Sequence, residues 1–167
     1  EAQALNFYHM SMNTESQHKF LEAVKMRVDT MNPGDPQIGR CVVEQSLNMC
    51  AQGKFLEARA TAEKGHAILT KAYGTKNVIV AEGFMARVKI LEAMGKYKDA
   101  NPLLQQCVSI RRRLLEGSHP LLGDSFLATA TVLIGQDRYS EAEKWIQDAL
   151  EMYVVFFGED DVRVTKA

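Results

Sequence analysis

The hexapeptide Gly53-Lys54-Phe55-Leu56-Glu57-Ala58 returns forty-two residues later as Gly95-Lys96-Tyr97-Lys98-Asp99-Ala100. After another forty-two it appears in worn form as Asp137-Arg138-Tyr139-Ser140-Glu141-Ala142. A fixed period of this size marks stacked repeats, in which each unit buries its apolar face only by packing on its neighbours. The chain therefore has to build an extended array. Its function becomes a question about surfaces rather than about one enclosed pocket.

Laid on this period, each unit reads as two helices. Helix A carries Ile38, Val42, Ser46 and Met49 in one unit, Val80, Phe84, Val88 and Leu91 in the next, and Leu122, Phe126, Ala130 and Leu133 in the third. That spacing belongs to one face of a helix. Gly53 and Gly95 stand where a left-handed residue would stop helix A. Asp137 holds the same register with Gly135 two residues earlier, so a rearranged turn is expected there. Phe55, Tyr97 and Tyr139 open helix B and are expected to wedge between the paired helices. Ala58, Ala100 and Ala142 permit close crossing, and Gly65, Cys107 and Ala149 keep a second position small. In the linkers, Pro36 and Pro120 suit a helix's first turn, and Asp35 before Pro36 can cap the free amides.

The expected organisation is an all-α, right-handed solenoid of antiparallel helix pairs. A truncated first repeat covers residues 1–33, full repeats cover 34–75, 76–117 and 118–159, and the start of a fifth repeat's helix A covers 160–167. Natural arrays end in polar caps. The apolar run Met152-Tyr153-Val154-Val155-Phe156-Phe157 instead awaits a following repeat, which suggests an excised part of a larger protein.

Composition narrows the function classes. Apolar residues make up 46% of the 167, enough for a core, and the formal net charge of −1 provides no bulk field for nucleic acid or membrane. Arg111-Arg112-Arg113 is the only basic run, and on a helix it is expected to be a solvated face. Cys41, Cys50 and Cys107 are odd in number and lack zinc spacing, so reduced thiols in a cytosolic protein fit best. No apolar stretch approaches the roughly 18 residues needed to span a bilayer. His9, His18, His66 and His119 have no metal-ligand spacing, and no phosphate loop or catalytic set is visible. His119 reads as a capping or solvent-exposed residue and His66 as a packed or interfacial one. No enzyme activity, cofactor or metal is expected.

The Gly-Lys-Tyr/Phe-x-Glu-Ala element, the long second helix and the Gly-x-x-His-Pro linker resemble the tetratricopeptide repeat. The usual repeat of that family is about 34 residues. The longer period here is similar to the kinesin light chain and nephrocystin-3 subclass. The resemblance implies a protein-binding array whose concave, helix-A-lined face takes peptides. In kinesin light chains an asparagine pair on helix A helps hold the peptide backbone. The matching positions here are Val43-Glu44, Met85-Ala86 and Leu127-Ala128, and the leucine that follows is replaced by Gln45, Arg87 and Thr129. Chaperone-binding members use a clamp of lysines and asparagines. Two of its positions are occupied here by Val43 and Leu47, Met85 and Lys89, and Leu127 and Thr131, a set that does not form such a clamp.

By register the concave face is expected to present Arg40, Val43, Leu47 and Cys50, then Glu82, Met85, Lys89 and Glu92, then Asp124, Leu127 and Thr131. Val43, Met85 and Leu127 would form an apolar ladder flanked by both charge signs, suited to an extended peptide or an amphipathic helix. The expected function is thus a protein–protein interaction module of scaffold or adaptor type, cytoplasmic or cytoskeleton-associated, with a protein or peptide partner and neither nucleic acid nor membrane insertion. Two alternatives stand beside it. One is self-association as a homodimer or end-to-end stack through Tyr153 to Phe157. The other is a regulatory array within a signalling or motor protein.

Overall fold

The computed structural model describes residues 22, 26, 35–115, 117 and 119–158. Apart from residues 22 and 26, the expected first-repeat segment lies outside these residues, as does the start of a fifth repeat. Six helices follow in order: α1 (Pro36–Ala51), α2 (Phe55–Tyr73), α3 (Val78–Ala93), α4 (Tyr97–Leu114), α5 (Pro120–Ile134) and α6 (Tyr139–Phe157). No strand occurs among the described residues. Each odd-numbered helix packs on the even-numbered helix after it, and successive pairs stack. The helix backbones of α1, α3 and α5 also approach closely in series, whereas those of α2, α4 and α6 do not. This is an all-α solenoid with an inner layer of A helices and a more open outer layer of B helices.

The helix starts follow from local chemistry. Asp35 Oδ1 accepts from the Gln37 N–H at 2.8 Å, and Asn77 Oδ1 accepts from the Ile79 N–H at 2.8 Å. His119 Nδ1 accepts from the Leu121 N–H at 3.1 Å, so this histidine caps α5 ahead of Pro120. Each cap satisfies an amide that has no partner inside its helix.

The turns between paired helices repeat almost atom for atom. Gly53, Gly95 and Asp137 all have positive φ, at 77°, 68° and 61°. Their N–H groups donate to Cys50, Glu92 and Ile134, and the next N–H in each case donates back to Met49, Leu91 and Leu133. The rearranged turn expected at Asp137 is therefore corrected. Aspartate tolerates the left-handed region better than most side chains, and its carboxylate accepts from the Tyr139 hydroxyl at 2.8 Å. Gly135 has a different job, because it is helical at φ −64°. A Cβ there would lie 2.5 Å from the Tyr97 ring, so glycine makes room for that ring.

The expected stripes form the core. Ile38, Ser46, Val80, Phe84, Val88, Leu91, Leu122, Phe126, Ala130 and Leu133 are buried, while Val42 and Met49 are half-buried. Ala58, Ala100 and Ala142 are buried at the helix crossings, as are Gly65, Cys107 and Ala149 one crossing further on. The aromatics that open the B helices need correcting. Tyr97 packs forward onto the next repeat's Gly135, and Tyr139 is exposed. The wedge is thus a contact between repeats, and no later helix meets Tyr139 among the described residues.

The arginine run is also corrected. Arg111 is only 3% exposed. It donates through Nη1 to the Leu121 carbonyl and, at 2.7 Å, to Ser125 Oγ. It therefore ties α4 to α5 across a repeat boundary, at the register held by Leu69 and Tyr153 in the neighbouring units. Arg112 lies over the Phe126 and Trp145 rings, with its guanidinium carbon 5.2 Å and 5.9 Å from their centroids.

Candidate functional site

Packing α1 against α3 places helix-A side chains from two repeats around one concave hollow of about 200 Å³. Six of the expected residues line it: Arg40, Val43 and Leu47 from α1, and Glu82, Met85 and Lys89 from α3. Its floor is apolar. Val43 is 6% and Met85 8% exposed, and both belong to the core with Leu69 and Ala86. The ladder therefore presents narrow apolar edges rather than whole side chains. Leu47 is half-buried against the same core, and the charged groups stand higher. Arg40 Nε lies 3.6 Å from Glu82 Oε2 in a solvent-exposed pair that joins the two walls. Such a pair contributes at most about 1 kcal/mol to stability and can be exchanged for a ligand's charges at small cost.

The other expected residues lie outside this hollow. Cys50 packs beside Ala58, Ala62 and Ile90. Asp124 accepts from the Tyr153 hydroxyl at 2.6 Å, which draws it toward α6. Leu127 packs on a separate cluster around Phe126 and Tyr153. The Thr131 hydroxyl donates to the Leu127 carbonyl at 3.0 Å. The helix-A faces of α1 and α3 thus form one hollow, while that of α5 is engaged with its own repeat.

Glu92 stands near this face with an unusual carboxyl. One of its oxygens, Oε1, is buried with no hydrogen-bond partner. Burial pushes its pKa up to about 7, with Lys89 pulling the other way. The folded chain then holds this proton more tightly than the unfolded chain. Stability falls as pH rises from the unfolded value of 4.5 through about 7 and is flat above that. Because Glu92 is only half-buried, solvent screening reduces the effect to about 1 kcal/mol. Glu92→Gln is expected to raise unfolding stability by about that amount near pH 8 and to leave it unchanged near pH 4, as read from urea midpoints.

Sequence reasoning missed four residues of the hollow, Glu44, Leu69, Ala86 and Arg111. Arg111 reaches its base from helix B, and its buried Nε has no hydrogen-bond partner. No carboxylate pairs with this guanidinium among the described residues. The available signal was the departure from the repeat, an arginine where the other units hold Leu69 and Tyr153.

Side chains with chemical potential elsewhere are packed. The His66 ring lies 4.2 Å from the Phe84 ring, between α2 and α3. Burial, and then Arg87, lower its pKa. The Cys107 thiol is pushed up by burial. Among the described residues no three His, Cys, Asp or Glu side chains converge as a metal site, and no helix is long and apolar enough to cross a membrane.

A tetratricopeptide repeat model matches residues 80–153. The fold is similar to BtubC (BKLC) from P. vanneervenii, with a TM-score of 0.76 at 14% identity over 89% of this chain. It is also similar to a putative kinesin light chain from P. anserina with nearly identical TPR-like repeats, at a TM-score of 0.68 and 18% identity. The Q17M form of that protein gives 0.70 and 19%. These two matches cover 90% and 89% of this chain and 72% and 70% of theirs. The present chain spans 59% of the length of BtubC. No curated protein sequence matches it at a significant level. The chain is therefore an α-helical repeat protein by fold. More particularly, its fold is that of kinesin light chain-like tetratricopeptide-repeat arrays, and residues 80–153 match the repeat's family model.

Proposed function

We propose that this array is a non-enzymatic protein–protein interaction module that binds a peptide or helix of a partner in the α1/α3 hollow, as part of a scaffold or adaptor. The observation that carries this reading is the convergence of Arg40, Leu47, Glu82 and Lys89 above a floor of Val43 and Met85. An apolar floor with charged walls and a donor at its base suits a peptide that buries one or two apolar side chains and pairs its polar groups at the rim. A hollow preformed by packed helices avoids much of the ordering cost of binding. The likeness to kinesin light chain-like arrays favours a transport or cytoskeletal setting in the cytoplasm.

Glutamate in place of Met85 would bury a charge and confound folding with binding, so the test uses rim residues. Peptides selected from a random library on the whole chain are expected to bind Leu47→Asp/Lys89→Glu at least tenfold more weakly, a loss of about 1.4 kcal/mol. The helical circular dichroism should be unchanged. Full affinity in that variant would rule out the hollow.

Self-association has one observation in its favour: Val155 and Phe156 at the end of α6 are 72% and 53% exposed. Light scattering across a concentration series decides it, since a mass that stays at 18.7 kDa excludes dimerisation.

A further inference from the structure

The outer layer holds two grooves related by the repeat, and they differ sharply. Between α2 and α4 the positions are Arg59, Glu63, Arg87 and Leu91, and the space left is about 120 Å³. Between α4 and α6 the same positions, forty-two residues on, are Asn101, Gln105, Thr129 and Leu133, and the space is about 660 Å³. In the first groove Arg59 and Glu63 pair at 3.2 Å, and Arg87 lies near them. In the second, neutral side chains replace all three charged ones, and two of them, Asn101 and Thr129, are much shorter than arginine. The groove is thus filled in one repeat and open in the next, and the open one has lost both arginines at the matching positions.

The open groove has a definite chemistry. Leu133 and Trp145 contribute apolar wall, and Trp145 meets Phe126 edge-on at 5.1 Å. Arg112 rests against both rings, which limits its freedom before anything binds. Arg113 stands exposed at the lip. Neither arginine has an ion-pair partner among the described residues. The groove's one carboxylate, Glu141, is taken by Arg138 through bonds of 2.8 Å and 2.7 Å. The groove is therefore net positive beside an aromatic wall. Its volume falls within the range of about 300–1,000 Å³ typical of ligand sites.

We propose that the α4/α6 groove is a second binding site, on the outer face and independent of the concave hollow, for a short acidic segment of a partner protein. One apolar side chain of that segment would lie against Trp145 and Leu133, and its carboxylates would pair with Arg112 and Arg113. Guanidinium–carboxylate forks favour this occupant, because each offers two parallel hydrogen bonds as well as charge. Trp and Arg are also the residues that dominate measured binding energies.

The chain has a single tryptophan, so Trp145 reports on this groove alone. The whole chain is titrated with a capped pentapeptide of four acidic residues around one leucine, and Trp emission is followed. A saturable change is expected. It should weaken at least tenfold in Arg112→Gln/Arg113→Gln. It should disappear in Thr129→Arg, which installs the side chain found at Arg87, with helical circular dichroism preserved in both variants. Leu47→Asp/Lys89→Glu should leave it unchanged, which separates this site from the concave one. The proposal is overturned by the absence of a saturable change, by an equal response to the lysine version of the peptide, or by full affinity in Arg112→Gln/Arg113→Gln. It is equally overturned if inorganic phosphate or a single-stranded DNA oligomer reproduces the response at the same concentration.

Discussion

Gly65→Val is expected to lower the unfolding free energy by about 3 kcal/mol, the upper end of ordinary overpacking. A Cβ at this position would lie 2.8 Å from Val43 Cγ2, 2.9 Å from the Val43 amide nitrogen and 3.0 Å from the Gly39 carbonyl oxygen. Two of these three atoms are backbone of α1, so no side-chain rotation relieves the clash and the helix itself has to move. Alanine at the same site would recover about 1 kcal/mol of helix propensity over glycine and should be milder. Valine adds bulk without that full return. The change also reaches function, because Val43 forms part of the hollow's floor. Urea unfolding gives the stability, and a loss below about 1 kcal/mol would show that α1 and α2 are not locked at this crossing.

Arg111 should separate stability from binding. Arg111→Ala is expected to cost about 2–3 kcal/mol, because truncating a fully packed side chain leaves a cavity. Arg111→Leu is expected to be neutral or to stabilise by about 1 kcal/mol. The register accepts leucine, since Leu69 stands at the equivalent place one repeat earlier and is fully buried. Removing the guanidinium leaves no orphaned acceptor at Leu121, whose carbonyl still accepts from Ser125 Oγ at 3.1 Å. What disappears is a buried cation without a carboxylate and with one unused donor. If the donor serves a bound peptide, Arg111→Leu weakens binding while the protein stays folded. Equal destabilisation by leucine and alanine in thermal or urea unfolding would mean instead that the two hydrogen bonds to α5 are indispensable.

The fold was legible because its signals are periodic. Helix stripes, small crossing residues and left-handed turn positions recur every forty-two residues, so each copy corroborates the others. The cap at Asp35 was legible for a local reason, since a capping side chain ahead of proline needs no tertiary information, whereas at His119 the residue type alone left capping and solvent exposure both open. Errors arose where one copy departs from the rest. Asp137 keeps the glycine-type backbone because a turn's hydrogen bonds outweigh the modest cost of a left-handed aspartate. Tyr97 packs onto the following repeat, a contact that depends on Gly135 and is invisible within one unit.

The concave hollow was half legible. Register identified Arg40, Leu47, Glu82 and Lys89, but it could not tell how deeply Val43 and Met85 would sink into the core. It also missed Arg111, because an arginine run on a helix reads as a solvated face, whereas this side chain is buried. The open outer groove is equally a departure from the repeat. It becomes visible only when Asn101, Gln105 and Thr129 are set beside Arg59, Glu63 and Arg87 at the same register positions. In both surfaces the informative residues are those where one unit differs from its neighbours.

The central claim is that the face formed by α1 and α3 is the principal binding surface, and backbone amide chemical-shift mapping tests it most directly. A library-selected peptide is titrated into the isotopically labelled chain. The account predicts the largest shifts at Arg40, Leu47, Glu82 and Lys89, with little change along the outward faces of α2 and α4. Shifts confined to the outer layer, or to Val155 and Phe156 at the end of α6, would contradict it.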